Sequence, residues 1–268
     1  MEYFLEKLLD LEGLLIPKLK KLDTWGRLQS FILSNPKPFL TMAKSIIVAI
    51  DEVEADTTSF ILEQLDPKKC LIKIGSILFN SLGHNALDLV SERGFEIFLD
   101  LKFHDIPNTV NSSIKSFKNK NIKMFTVHLS GGLEMVRSAK EASDYINSQA
   151  IGVSVLTSLS FDEIESLYNQ QSHEAALELF NIADQANISG IVCSPHELDI
   201  ANQVLPNMIK ITPGIRPKNN TTDDQKRVMT PQQAINLGAD YIVIGRPITL
   251  SPNIGEAFIK IYNDLNDS

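Results

Sequence analysis

From residue 45 onward the chain alternates short β-branched or aliphatic runs with longer stretches of helical periodicity. No other feature narrows its possible folds as far. The runs at 45–50, 71–74, 96–101, 124–128, 150–155, 190–193, 208–211 and 241–244 read as strands. The stretches at 57–65, 77–92, 109–118, 134–142, 174–186, 195–203 and 231–237 read as helices, with a last one at 255–265. The strand runs are apolar almost throughout, as strands covered on both faces should be. Eight β/α units in roughly 225 residues predict one closed (β/α)8 barrel, a TIM barrel, and not an open doubly wound sheet. An open sheet would carry a Gly-rich fingerprint after its first strand, and Ile50-Asp51-Glu52-Val53 has none. No second domain, low-complexity linker or internal repeat is visible.

Composition agrees and excludes other classes. Of 268 residues 43% are hydrophobic, enough for a sizeable core and too many for a disordered chain. No apolar run approaches the ~18–20 residues of a membrane span. A net charge of −8 argues against nucleic acid bound through bulk charge, while leaving room for a local basic pocket that takes a phosphate. Cys70 and Cys193 sit far apart in apolar stretches without a C-x-x-C, so two reduced core residues of a cytoplasmic protein are expected.

Residues 1–41 stand outside the rhythm, which divides the chain into an N-terminal extension (1–41) and a barrel domain (42–268). Glu2, Glu6, Asp10 and Glu12 and the lack of a basic stretch before an apolar core argue against a secretory leader. Phe4, Leu5, Leu8, Leu9, Leu11, Leu14 and Leu15 recur at roughly helical spacing ahead of Lys18, Lys20 and Lys21, before Pro36 and Pro38 break the pattern. An amphipathic helix for a membrane surface or partner is one reading. A docked helix, or sequence upstream of a natural start at Met42, is the reading adopted. An intact N-terminal mass beginning at Met1 would dispose of the Met42 start.

In a barrel of this kind the chemistry sits where strands end. The first run ends in Asp51, the second carries Lys73, and the third ends Leu99-Asp100-Leu101-Lys102-Phe103-His104-Asp105. Asp100 and Lys102, two apart, are expected on the same side of their strand. Three aspartates and two lysines are thus expected to share one region. Such charges persist near a core only when paired and hydrogen-bonded, and an alternating array meets that demand while fixing each ammonium in place. A salt-bridge network that merely closes the barrel is the bland alternative. Five charges at the catalytic end favour function.

A second constellation stands after the last strands. Gly214 with Arg216, and Gly245 with Arg246, occupy the usual barrel phosphate position. There glycine admits close backbone approach, and arginine supplies a forked donor. The polar stretch from Thr212 to Arg227 between them suits a lid.

Asp100-Leu101-Lys102-Phe103-His104-Asp105-Ile106-Pro107-Asn108-Thr109-Val110 resembles the signature of the orotidine 5′-phosphate decarboxylase family, in its bacterial branch. The likeness continues in order through Ala49-Ile50-Asp51, Ile72-Lys73-Ile74-Gly75, Leu156-Thr157-Ser158, Val192-Cys193-Ser194, Pro213-Gly214-Ile215-Arg216-Pro217, Asp224-Gln225-Lys226-Arg227 and Val243-Ile244-Gly245-Arg246-Pro247-Ile248-Thr249. The resemblance implies cofactor-free and metal-free loss of CO2 from orotidine 5′-monophosphate. It implies that Lys102 stabilises and protonates the carbanion, that Asp100 sits by the departing carboxylate, and that Lys73 supports the array. Asp105 is implied to enter the active site of a neighbouring subunit, hence a homodimer with shared sites. Asp51 and Lys73 would meet the ribose, and Thr157 and Ser158 the pyrimidine edge. Arg216, Gln225, Gly245 and Arg246 would hold the phosphate, with Thr109 a further substrate contact.

Two rival readings stay open. Sugar-phosphate decarboxylases and synthases of the same barrel share an Asp-x-Lys-x-x-Asp core and depend on magnesium, but lack the Ile-Pro-Asn-Thr continuation. A nucleotide-binding regulator without chemistry would have little use for Lys102 between two aspartates. His104 and His128 could be imagined as metal ligands, but a lysine in their midst repels a cation and no H-x-x-x-H spacing occurs.

Overall fold

The computed structural model describes residues 45–217 and 229–266. The extension at 1–41, the Met42 start, and the centre of the expected lid with Gln225 lie outside the described residues.

Eight parallel strands close into a barrel in sequence order. They are β1 (Ile46–Ile50), β2 (Cys70–Gly75), β3 (Ile97–Phe103), β4 (Ile122–His128), β5 (Gln149–Val153), β6 (Gly190–Val192), β7 (Ile209–Thr212) and β8 (Tyr241–Ile244). β8 returns to β1, pairing Ile242 with Ile46. Each predicted strand is present within two residues at either end, because runs buried on both faces leave little ambiguity of period.

Two apolar layers follow from the pleat. Ile47, Ala49, Leu71, Phe98, Met124, Ile151, Ile211 and Val243 fill the barrel interior. The alternate residues, such as Val48, Ile72, Leu99 and Phe125, face the surrounding helices. Each fully buried Ile, Leu or Phe among them contributes on the order of 1.5–3 kcal/mol. Cys70 and Cys193 are both buried and are not joined in a disulfide, as expected.

The helices begin and stop for local reasons. Helix Pro107–Lys115 carries proline in its first turn, where no N–H partner is lost. Helices Leu133–Ile146, Phe161–Tyr168 and Ser172–Ala186 end on Asn147, Asn169 and Asn187 in the left-handed conformation that asparagine tolerates. Two differences from the sequence reading stand out. The single helix expected at 77–92 is broken at Gly83 (φ 59°) into Ser76–Leu82 and His84–Ser91. Helix Phe161–Tyr168 was not expected, although Ser160 and Glu163 form a reciprocal capping box at its start.

Gly190 pairs with Ile209, and a Cβ there would lie 2.5 Å from the Ile209 carbonyl oxygen. Backbone cannot yield as a side-chain tip does. Gly190→Ala is therefore expected to destabilise the fold by about 1–3 kcal/mol, read as a lower urea midpoint at unchanged slope. An unchanged midpoint would contradict this packing.

Candidate active site

The C-terminal ends of the strands open onto a cavity of about 280 Å³. Asp51, Lys73, Asp100, Lys102, Thr157, Arg216, Gly245 and Arg246 all line it, beside an apolar wall of Phe98, Val153, Val155, Val192 and Val243. Charges from one side of the barrel and arginines from the last two loops thus face one space.

The charges form a chain. Lys73 Nζ lies 3.4 Å from Asp51 Oδ1 and 3.5 Å from Asp100 Oδ2, and Lys102 Nζ lies 2.9 Å from Asp100 Oδ1. Asp100 is its centre: its side chain is 13% exposed, against 51% for Asp51. Burial pushes the Asp100 carboxyl up, but the Lys73 and Lys102 ammoniums, with hydrogen bonds from Lys102 and Thr126, outweigh it and hold the group below the usual carboxylate range. Asp100 is accordingly ionised and both its oxygens face ammoniums. Gly75 belongs to the same construction, since a Cβ there would sit 2.8 Å from Lys73 Nζ and 3.3 Å from Asp51 Oδ1.

The route by which Asp100 and Lys102 meet differs from the expected one. Regular pleating does not place them together. The β3–β4 register shifts between Leu99 and Phe103, and Lys102 takes φ 50°. A bulge therefore aims the lysine into the cavity. The Lys102 N–H donates to Thr126 Oγ1 (2.8 Å), and that hydroxyl donates to Asp100 Oδ1 (3.0 Å). Thr126 is not among the sequence candidates; a hydroxyl between the apolar Phe125 and Val127 is the available signal.

Asp105, Thr109 and Ser158 are exposed and do not line the cavity. Asp105 lies past the end of β3, and its Oδ1 accepts the Ile106 N–H at 2.7 Å. Within one chain the array is therefore Asp51–Lys73–Asp100–Lys102, without Asp105. Thr109 stands in the first turn of helix Pro107–Lys115. Thr157 faces the cavity and its neighbour Ser158 turns outward. On the side of the arginines, Ile215 and Met229 pair as an isolated bridge and the Arg216 N–H donates to the Met229 carbonyl at 2.9 Å, which holds the two ends of that loop together.

His104 and His128 stand beside the array with ring centroids 5.2 Å apart. Burial, then His104 and the Lys102 ammonium, hold the His128 imidazole below its ordinary value, with Asp100 pulling the other way. Among the described residues no group of three or more His, Cys, Asp or Glu side chains is placed to hold a metal ion. The depressed His128 value gives a signed expectation. Its contribution to stability is complete above the unfolded value of 6.5 and is lost as pH falls through the lower folded value. Urea midpoints should therefore decline below about pH 6.5, and His128→Gln should remove that part of the slope. An identical slope in the variant would contradict the assignment.

A second polar layer, missed in the sequence, braces the β5–β6 edge. Buried Glu197 accepts the Ser194 N–H (2.7 Å) and the Ser154 hydroxyl (3.3 Å), joining the residues that precede Val155-Leu156-Thr157 to those that follow Cys193. Burial pushes the Cys193 thiol far up, so it lines the cavity as a neutral group.

A family model described as orotidine 5′-phosphate decarboxylase / HUMPS family matches residues 44–261. An orotidine 5′-phosphate decarboxylase from Actinobacillus succinogenes is 42% identical over 230 residues, 84% of this chain and 99% of that protein. One from Pseudomonas paraeruginosa is 38% identical over 224 residues, 82% of this chain and 97% of that protein. Among solved structures, orotidine 5′-phosphate decarboxylase from Lactobacillus acidophilus superposes with a TM-score of 0.73 at 33% identity, covering 82% of this chain and 98% of its own.

Proposed function

This chain belongs to the orotidine 5′-phosphate decarboxylase / HUMPS family, and from that premise we propose its chemistry: it is a carboxy-lyase that converts orotidine 5′-monophosphate to uridine 5′-monophosphate and CO2. The observation that carries this reading is the Asp51–Lys73–Asp100–Lys102 chain at the mouth of a cavity that Arg216 and Arg246 also line.

When the bond between C6 and the carboxylate breaks, its electron pair stays on C6 in the plane of the ring. The π system cannot delocalise it there. Stabilisation must then come from charge fixed in advance near C6. Lys102 supplies it: the ammonium held by Asp100 faces the developing carbanion, then transfers one proton to C6, and is reprotonated from solvent. The Asp100 carboxylate faces the substrate carboxylate, and this repulsion is relieved as neutral CO2 departs. Lys73 neutralises the far oxygen of Asp100, and with Asp51 binds the ribose hydroxyls. Thr157 meets the pyrimidine edge. Arg216, Gly245 and Arg246 take the phosphate. No electron sink beyond these groups enters the scheme.

The exposed Asp105 and Thr109 fit a site completed across a two-fold axis. We assign Asp105 to the partner's cavity in a homodimer. Mixing two inactive variants, Lys102→Ala and Asp105→Ala, should then restore about a quarter of wild-type activity, since half the reassorted dimers carry one intact site. No recovery after reassortment would overturn the shared site. A cytoplasmic setting fits two buried cysteines held as thiols; no described helix is long and apolar enough to cross a membrane.

The activity itself is tested by mixing purified protein with orotidine 5′-monophosphate in excess chelator and following the ultraviolet change. Turnover unaffected by chelator supports the reading. Turnover that needs added magnesium would favour the metal-dependent branch of the barrel, and none under either condition would remove the function.

A further inference from the structure

We propose that Thr126 is a positioning residue of the decarboxylation, whose buried hydroxyl fixes the backbone of Lys102 and the carboxylate of Asp100 together and so sets where the Lys102 ammonium stands. The proposal rests on the function assigned above and deepens it.

Lys102 occupies the left-handed region at φ 50°, a conformation that a β-carbon disfavours. Something must hold it there. The β3–β4 register skips between Leu99 and Phe103, so a regular ladder does not serve the Lys102 N–H. That N–H donates to Thr126 Oγ1 at 2.8 Å, a side chain standing in for a ladder carbonyl. A hydroxyl carries one proton, and here it points to Asp100 Oδ1 at 3.0 Å. Lys102 Nζ donates to that same oxygen at 2.9 Å. The loop of contacts closes: backbone N–H to hydroxyl, hydroxyl to carboxylate, carboxylate to the ammonium of the residue that began it. Thr126 is fully buried, so water does not compete for its hydroxyl, and its branched Cβ restricts its rotamer.

The groups whose charge bears on this loop are Lys73 and Lys102 on Asp100, with His128 at the end of β4 and His104 just past the end of β3. Losing the hydroxyl removes one of the bonds that keep Asp100 ionised and frees Lys102 to leave its strained conformation. Binding of the nucleotide through Asp51, Arg216 and Arg246 is untouched by that change. The signature is therefore a loss in kcat and not in KM.

The test compares Thr126→Val, which keeps the shape, with Thr126→Ser, which keeps the hydroxyl, by steady-state turnover of orotidine 5′-monophosphate across pH. Thr126→Val is expected to lose about 10- to 100-fold in kcat, as a misplaced catalytic group does. KM should hold within about threefold, and the acid limb of the kcat profile should move to higher pH. Thr126→Ser should recover most of kcat and return the limb. A merely structural threonine would lower the thermal midpoint of Thr126→Val without moving kcat per folded site or the limb. That outcome, or a serine variant no better than valine, would overturn the proposal. Should Thr126→Val fail to fold, Thr126→Cys, a near-isostere with a weak donor, is expected to show the same loss in kcat, and wild-type kcat in it would equally overturn the assignment. Wild-type turnover is the control that separates the two claims: its absence removes the proposed function, whereas a wild-type rate in Thr126→Val removes only this role.

Discussion

Lys102→Ala is expected to abolish turnover while leaving the barrel folded. The substitution removes two effects at once. Proton donation by a positioned group contributes ~10²–10⁴-fold, and preorganised charge at a developing anion contributes a further ~10²–10³-fold. Together they put the loss at about four to seven orders of magnitude in kcat. The fold should survive because the Lys102 side chain is 38% exposed and no apolar core residue is touched. Asp100 keeps Lys73 at 3.5 Å and the Thr126 hydroxyl at 3.0 Å, so its carboxylate is not stranded. With one ammonium gone its carboxyl should titrate at higher pH than in the wild type. Circular dichroism, the thermal midpoint and binding of uridine 5′-monophosphate check the folded state. A variant retaining more than about a hundredth of wild-type kcat would take the proton donor's role from this lysine.

Arg246→Ala is expected to be the second largest loss, and of another kind. Arg246 touches no reacting atom in the scheme; it lines the cavity beside Gly245 at the end of β8. A guanidinium on a dianionic phosphate makes charge-assisted forked bonds. Truncating one partner of such a pair costs about 2–5 kcal/mol, roughly 30- to several-thousand-fold in kcat/KM. The loss should fall on kcat/KM, since binding energy far from the reacting bond is used to bring the substrate to the charges that act on it. Orotidine, which lacks the phosphate, gives the internal check: its slow turnover should be the same in both enzymes, because the coupling vanishes with either partner. An effect within error on the phosphorylated substrate, or an equal one on orotidine, would refute the assignment.

The barrel was legible because its information is local. Runs such as 46–50 and 241–244 are apolar on both faces, and that pattern has few other uses in a chain of this length. Local signals also explain the helix errors. Gly83 offers a positive-φ break inside 77–92, and Ser160 with Glu163 a capping box; both are short signals that longer periodicity masks. The array was legible in part. Asp51, Lys73, Asp100 and Lys102 stand at strand ends, where this fold puts its chemistry. The rest depended on pairing between distant segments. Spacing alone placed Lys102 beside Asp100 by the pleat, but the contact comes from a bulge opposite Thr126, 24 residues away. No local pattern shows that Glu197, beyond capping Ser194, also accepts the Ser154 hydroxyl 43 residues away and so braces two loops from behind. These are choices made by tertiary contacts, and a one-dimensional reading sees only the residues that could make them.

Decarboxylation by this chain requires the Lys102 ammonium to stand fixed beside C6 of the bound pyrimidine. A crystal structure with uridine 5′-monophosphate in the cavity measures this directly. Nζ is expected within about 3.5 Å of C6, still bonded to Asp100, with the phosphate on Arg216 and Arg246. An amine turned to solvent, or bonded elsewhere with the nucleotide seated, would contradict it.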